Sequence, residues 1–123
     1  MNKYDFKDTN VYVNESKMKD YNTIYGVCKC IASNKHSTEV NNLLVEELSE
    51  LIKAVMKLER WNRGDDFLRC NYHDIYDNIY EEISDVIITL LQFISKNRIS
   101  YDSLIDEIGK KLVRLYETKF GEK

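Results

Sequence analysis

Glu47 and Glu50, and thirty-five positions on Glu82 and Asp85, are pairs of carboxylates set three apart in otherwise apolar runs. The first run is Val45-Glu46-Glu47-Leu48-Ser49-Glu50-Leu51-Ile52 and the second is Tyr80-Glu81-Glu82-Ile83-Ser84-Asp85-Val86-Ile87. On an α-helix, residues i and i+3 are surface neighbours about 5–6 Å apart at Cβ. Two such pairs on facing helices can therefore converge on one cation. Oxygen-only donors with no accompanying histidine suit a hard ion, Mg²⁺ or Mn²⁺, rather than zinc.

The phase of the acids gives the pattern its weight. With Glu47 set at 0°, Leu58, Leu51, Leu44, Val55 and Leu48 fall between about 20° and 100°, so Glu47 belongs to the apolar arc. Glu50 lies at its border, while Glu46, Lys53 and Lys57 group on the opposite side. The second helix repeats the arrangement around Glu82, with Ile75, Phe93, Val86, Ile79, Leu90 and Ile83 in the apolar arc and Asp85 at its border. A carboxylate held in an apolar stripe is costly unless a positive charge compensates it. Neither arc contains a lysine or arginine, so compensation is expected from a metal or from another helix. Lys111 and Arg114 are the basic residues that would form buried salt bridges if the acids were structural.

Other constellations lead elsewhere. His73-Asp74 suggests an HD-type phosphohydrolase, but His36, the other histidine, falls in a predicted linker, and Asp74 suits the first turn of a helix. A ferritin-like di-iron site needs E-x-x-H motifs, which the chain lacks. A non-enzymatic helical oligomerisation or adaptor module, with structural acids, is the remaining alternative. Trp61 shares the arc of Glu47 but lies about 16 Å along the helix from Glu50. It, Tyr21 and Tyr25 are candidates for contact with a nucleobase, each also suited to packing.

Long helices must position these groups. The 123 residues include no proline and four glycines, so the composition favours an all-α domain with short connections. Residues 1–16 lack a sustained period and are expected to form an arm, with a single domain over 17–123. The spacing predicts helices over Lys17–Ser33, from a cap at Ser37 or Thr38 to Trp61, from a cap at Asn71 to about Asn97, and from Ser100 to a tail fraying after Thr118. A polar loop, Asn62–Cys70, joins the two acidic helices. The net charge of −3 argues against binding a nucleic-acid polymer. No run is long and apolar enough for a signal peptide or membrane span. Cys28, Cys30 and Cys70 form no C-x-x-C pair and are expected to be free thiols in a reducing cytoplasm.

Glu46-Glu47-x-x-Glu50 followed by Glu82-x-x-Asp85 and a closing Lys111-Leu112-x-Arg114 resembles the signature of the MazG-like all-α nucleoside triphosphate pyrophosphohydrolases, over most of residues 38–118. The resemblance implies a four-helix bundle-like fold whose core is completed by forming a homodimer or homotetramer. It implies Glu47, Glu50, Glu82 and Asp85 as metal ligands, and cleavage of an NTP or dNTP between its α and β phosphates to the monophosphate and pyrophosphate, in housekeeping of the nucleotide pool. Glu46 belongs to the motif but its phase faces solvent, and the linker between the acid motifs is longer than in compact members. A triphosphate carries about four negative charges, so four carboxylates would repel it without a divalent ion between them. Glu50 is the candidate to orient or deprotonate the attacking water, with Glu47 beside it, and Lys111 and Arg114 are candidates for phosphate oxygens.

Overall fold

The computed structural model describes residues 13–64 and 71–121, and every regular element among them is helical. A 3₁₀ turn, Glu15–Lys17, precedes α1 (Tyr21–Ser33), α2 (Ser37–Asn62), α3 (Tyr72–Lys96) and α4 (Tyr101–Phe120). The fold is all-α, as composition and periodicity predict. The N-terminal arm through residue 12, most of the loop at 65–70 and Cys70 lie outside the described residues.

Local chemistry sets the boundaries. Asp20 caps α1, its carboxylate accepting from the Thr23 amide at 2.9 Å, so the helix begins at Tyr21 rather than at Lys17. Asn71 caps α3 by accepting from the Asp74 amide at 2.9 Å, and Ser100 caps α4 by accepting from the Ser103 amide at 3.3 Å. The expected cap of α2 at Ser37 or Thr38 does not form. His36 occupies that position with no side-chain bond, and Glu39 supplies the first-turn negative charge. α3 ends in a Schellman motif, in which Ile99 N–H donates to the Ile94 carbonyl at 3.0 Å and Arg98 N–H to that of Ser95 at 3.2 Å. Arg98 stands at φ 54° in the left-handed position usually given to glycine. α4 stays helical to Phe120, two residues past the expected fraying point.

α2 and α3 form an antiparallel hairpin. Trp61 packs edge-on against Tyr72 at its closed end (ring centroids 5.6 Å apart), Glu47 meets Glu82 midway, and Lys35 Nζ donates to Gln92 Oε1 at 3.0 Å near the other end. α1 packs along a different side of α3, burying Cys28, Cys30 and Ala32. α4 has no comparable interface with any of the other three helices, and its N-terminus touches α1 through Tyr101 and Tyr21, ring centroids 5.9 Å apart.

The packed faces of the hairpin are replicas. Along α2 the buried and half-buried positions are 40, 43, 44, 47, 50, 51, 54, 57, 58 and 61. Each has a buried or half-buried counterpart thirty-five residues later, from 75 to 96, and α3 covers a few further positions where α1 lies against it. Glu47 and Glu82 sit at the middle of these faces rather than at an edge. The apolar arc inferred from sequence joined two separate stripes. Leu44, Leu51 and Leu58 face the hairpin partner, whereas Leu48 and Val55, and their counterparts Ile83 and Leu90, are exposed. Lys57, expected on the solvent side, is half-buried along the packed face.

Candidate metal centre

The i, i+3 spacing on α3 brings Glu82 and Asp85 to one side of the helix, and the hairpin register brings Glu47 of α2 opposite them. All three are half-buried, and each offers a carboxylate oxygen within 4.8 Å of the others. Such a separation leaves room for one ion bonded to oxygens at about 2.0–2.6 Å. Oε2 of Glu82 is shielded from solvent and has no hydrogen-bond partner. A buried carboxylate oxygen without a donor is costly, and a cation bound among these acids removes that cost. The donor set and the orphaned oxygen thus fit a hard divalent ion.

The electrostatics agree. Burial pushes the Glu47 carboxyl above the ordinary value of 4.5, and the neighbouring charges of Asp85, Glu46, Glu82 and Glu50 push it further. Glu82 is raised first by burial and then by Asp85, Glu50 and Glu81. No lysine or arginine contributes to either shift. Among the described residues, no salt bridge joins Glu47, Glu82 or Asp85 to a base. The buried salt bridges that a purely structural role for the acids would use, from Lys111 or Arg114, are therefore not made within the chain.

Glu50 is placed differently from the other three. It lies half-buried one turn along α2 from Glu47, outside the group of mutually close oxygens, and its Oε1 accepts from Lys53 Nζ at 3.2 Å. Lys53 was not among the residues expected at the site. Its signal in the sequence is the opposite charge three positions after Glu50, a spacing common on solvated helix faces.

The remaining candidates lie away from the cluster. Lys111 and Arg114 are exposed on α4, which does not pack on the hairpin of its own chain. Trp61 closes the far end of the hairpin against Tyr72, which also packs on Tyr76 with ring centroids 4.4 Å apart. Tyr21 and Tyr25 stack on each other at 5.9 Å at the start of α1. His73, beside Tyr72, and His36, at the start of α2, stand at opposite ends of the hairpin, so the pair cannot share a metal. Cys28 and Cys30 are buried free thiols, and burial raises the Cys28 pKa.

No helix among the described residues is long and apolar enough to cross a membrane. A family model described as the MazG nucleotide pyrophosphohydrolase domain matches residues 35–120, which include both acidic helices and α4. No curated protein and no solved structure matches the chain.

Proposed function

This chain belongs to the MazG nucleotide pyrophosphohydrolase family, and from that premise we propose that it hydrolyses nucleoside triphosphates, NTP or dNTP, between the α and β phosphates with Mg²⁺ as cofactor. Mn²⁺ is the expected substitute. The observation that supports this reading most directly is the Glu82 oxygen buried without a partner, beside the carboxylates of Glu47 and Asp85. A nucleotide-binding protein needs positive charge at its polyphosphate, and these residues supply only the means to hold it.

In this reading Glu47, Glu82 and Asp85 hold the ion, with Glu50 as an outlying ligand. A divalent ion held there would neutralise the polyphosphate and withdraw charge, as a Lewis acid, from the oxygens of the phosphoryl group whose phosphorus is attacked. The protein supplies position and proton transfer. Glu50, set apart from the three close acids, accepts the proton of the attacking water as its oxygen bonds to phosphorus. The α–β anhydride bond breaks, and pyrophosphate leaves with the electron pair. Lys53 keeps Glu50 oriented between turnovers. Lys111 and Arg114 are proposed for the outer phosphates, delivered by assembly because α4 stands clear of its own hairpin. The proposed assembly is a homodimer or homotetramer, and the setting is the cytoplasm. The proposed role is removal of unwanted nucleotides from the pool, with Trp61, Tyr21 and Tyr25 as candidate base contacts.

The test is a panel of NTPs and dNTPs assayed for pyrophosphate and orthophosphate with and without Mg²⁺. Metal-dependent pyrophosphate release with equimolar nucleoside monophosphate supports the proposal. Release of orthophosphate alone would place the chain in another phosphatase class.

A further inference from the structure

Lys57 is the one base among the buried and half-buried positions of α2. Helix phase predicts it on the solvent side with Lys53, yet in the folded hairpin Lys57 is half-buried while the Lys53 side chain stays 73% exposed. Among the described residues the Lys57 ammonium group takes part in no ion pair and no hydrogen bond. The equivalent position on α3, thirty-five residues later, is Gln92, and there the polar group is satisfied, its Oε1 accepting from Lys35 Nζ at 3.0 Å. A positive charge drawn partly out of water without a partner is costly, and an anion beside it removes that cost.

The place of Lys57 on the helix indicates which anion. Seven residues separate it from Glu50, two turns or about 10 Å along the axis, and bring its side chain back to within about 20° of the same direction. Asp85 emerges on that side too. It follows Glu82 by three residues as Glu50 follows Glu47, and on antiparallel helices equal rotations lead to one side of the hairpin. Helical side chains lean toward the N-terminus of their helix, which for Lys57 is toward Glu50. Four residues further on, Trp61 packed against Tyr72 closes the row. The row thus runs from carboxylates through one base to an aromatic end.

The charges of the site call for that base. A triphosphate carries about four negative charges, of which one divalent ion offsets only two, and Glu47, Glu82 and Asp85 already surround that ion with negative charge. Lys53 is bound to Glu50, and Lys111 and Arg114 stand on α4, clear of their own hairpin. Lys57 is the positive charge that each chain brings to its own acid cluster. We propose that Lys57 is a phosphate-binding residue, its ammonium group donating to a non-bridging polyphosphate oxygen that the ion does not hold. This inference rests on the proposed function in taking the acids as an ion site, and it goes beyond that reading by assigning a phosphate contact to the hairpin itself.

The test is the affinity of the full chain for inorganic tripolyphosphate in Mg²⁺, measured by titration calorimetry in wild type and in Lys57→Met, which keeps an unbranched apolar stem and loses the charge. Tripolyphosphate has neither base nor sugar, so a lysine that only packs against the hairpin, or only touches a nucleobase, leaves its affinity unchanged. The variant is expected to bind at least about tenfold more weakly, with its affinity for Mg²⁺ alone unchanged. Equal affinity in the two proteins, no binding to wild type, or an equal loss of affinity for Mg²⁺ alone overturns the inference. If Lys57→Met does not fold, acylation of the wild type decides. Mg²⁺ with tripolyphosphate is expected to slow acylation of Lys57 at least about fivefold and to leave that of exposed Lys29 on α1 unchanged. Smaller protection, or equal protection of both lysines, overturns the inference. Equal tripolyphosphate affinity with metal-dependent pyrophosphate release intact would refute the role of Lys57 alone. Weakened affinity in the variant, with no pyrophosphate released from any nucleotide by wild type, would refute the proposed reaction alone.

Discussion

Glu47 and Glu82 occupy equivalent positions on antiparallel helices, each at the middle of its packed face, and their carboxylates approach within 4.8 Å of each other and of Asp85. Hydrophobic burial on either side holds them together. Leu44 and Leu51 flank Glu47, and Ile79 and Val86 flank Glu82, all half-buried in the hairpin. The apolar packing confines two like charges that would separate in water.

The first consequence concerns pH. Both glutamates are raised above 4.5 in the metal-free fold, so between that value and their folded values the native state binds more protons than the unfolded chain. Their contribution to stability is fully present below 4.5 and is lost as pH rises through the folded pKa values. Replacing Glu82 by glutamine removes one titrating group. In EDTA, the denaturation midpoint of Glu82→Gln should therefore rise relative to wild type between about pH 4 and pH 7. A constant difference across that range, or one of opposite sign, contradicts the assigned shifts.

Glu50 should separate binding from turnover. As proton acceptor outside the close trio, Glu50→Gln is expected to lower kcat by about 10²-fold or more, the usual contribution of a positioned general base. The stabilisation that Mg²⁺ gives should largely persist in the same variant. Loss of both together would make Glu50 chiefly a ligand, whereas unchanged kcat would remove it from the mechanism.

Arg98 offers a stability test remote from the site. It is exposed, and its φ of 54° is tolerated because the Schellman bonds close the end of α3 around it. Arg98→Gly relieves the left-handed strain at some cost in chain entropy, for a net gain of about 0.5–1 kcal/mol. Urea denaturation should show the midpoint moving up, and a decrease would mean that the arginine side chain contributes packing that outweighs the strain.

Much of this was legible in the chain itself. The 3.6-residue period defined α2 and α3, Asn71 and Ser100 announced their helices, and the matched acid motifs singled out Glu47, Glu50, Glu82 and Asp85, of which Glu50 lies outside the close group. Asp20 was overlooked as a cap because apolar spacing on either side of it blurs the start of α1. The Glu50–Lys53 pair was missed because its spacing is that of ordinary surface pairs. Leu48 and Val55 have the same chemistry as Leu44 and Leu51, so periodicity merged the face that folds the hairpin with the face left outside it. The separation of α4 from the hairpin has no local signature, since its Leu112 and Leu115 stripe is what a helix packed in the same chain would also show.

The most direct test of the account is the melting temperature of wild type, Glu47→Ala, Glu82→Ala and His73→Ala with and without Mg²⁺. At a hundredfold excess over Kd a bound ion stabilises by about 2.7 kcal/mol, a rise on the order of 10 °C for a chain of this size. The account predicts that rise in wild type and His73→Ala and its loss in both glutamate variants. An equal rise in all four proteins, or none in wild type at saturating Mg²⁺, would contradict it.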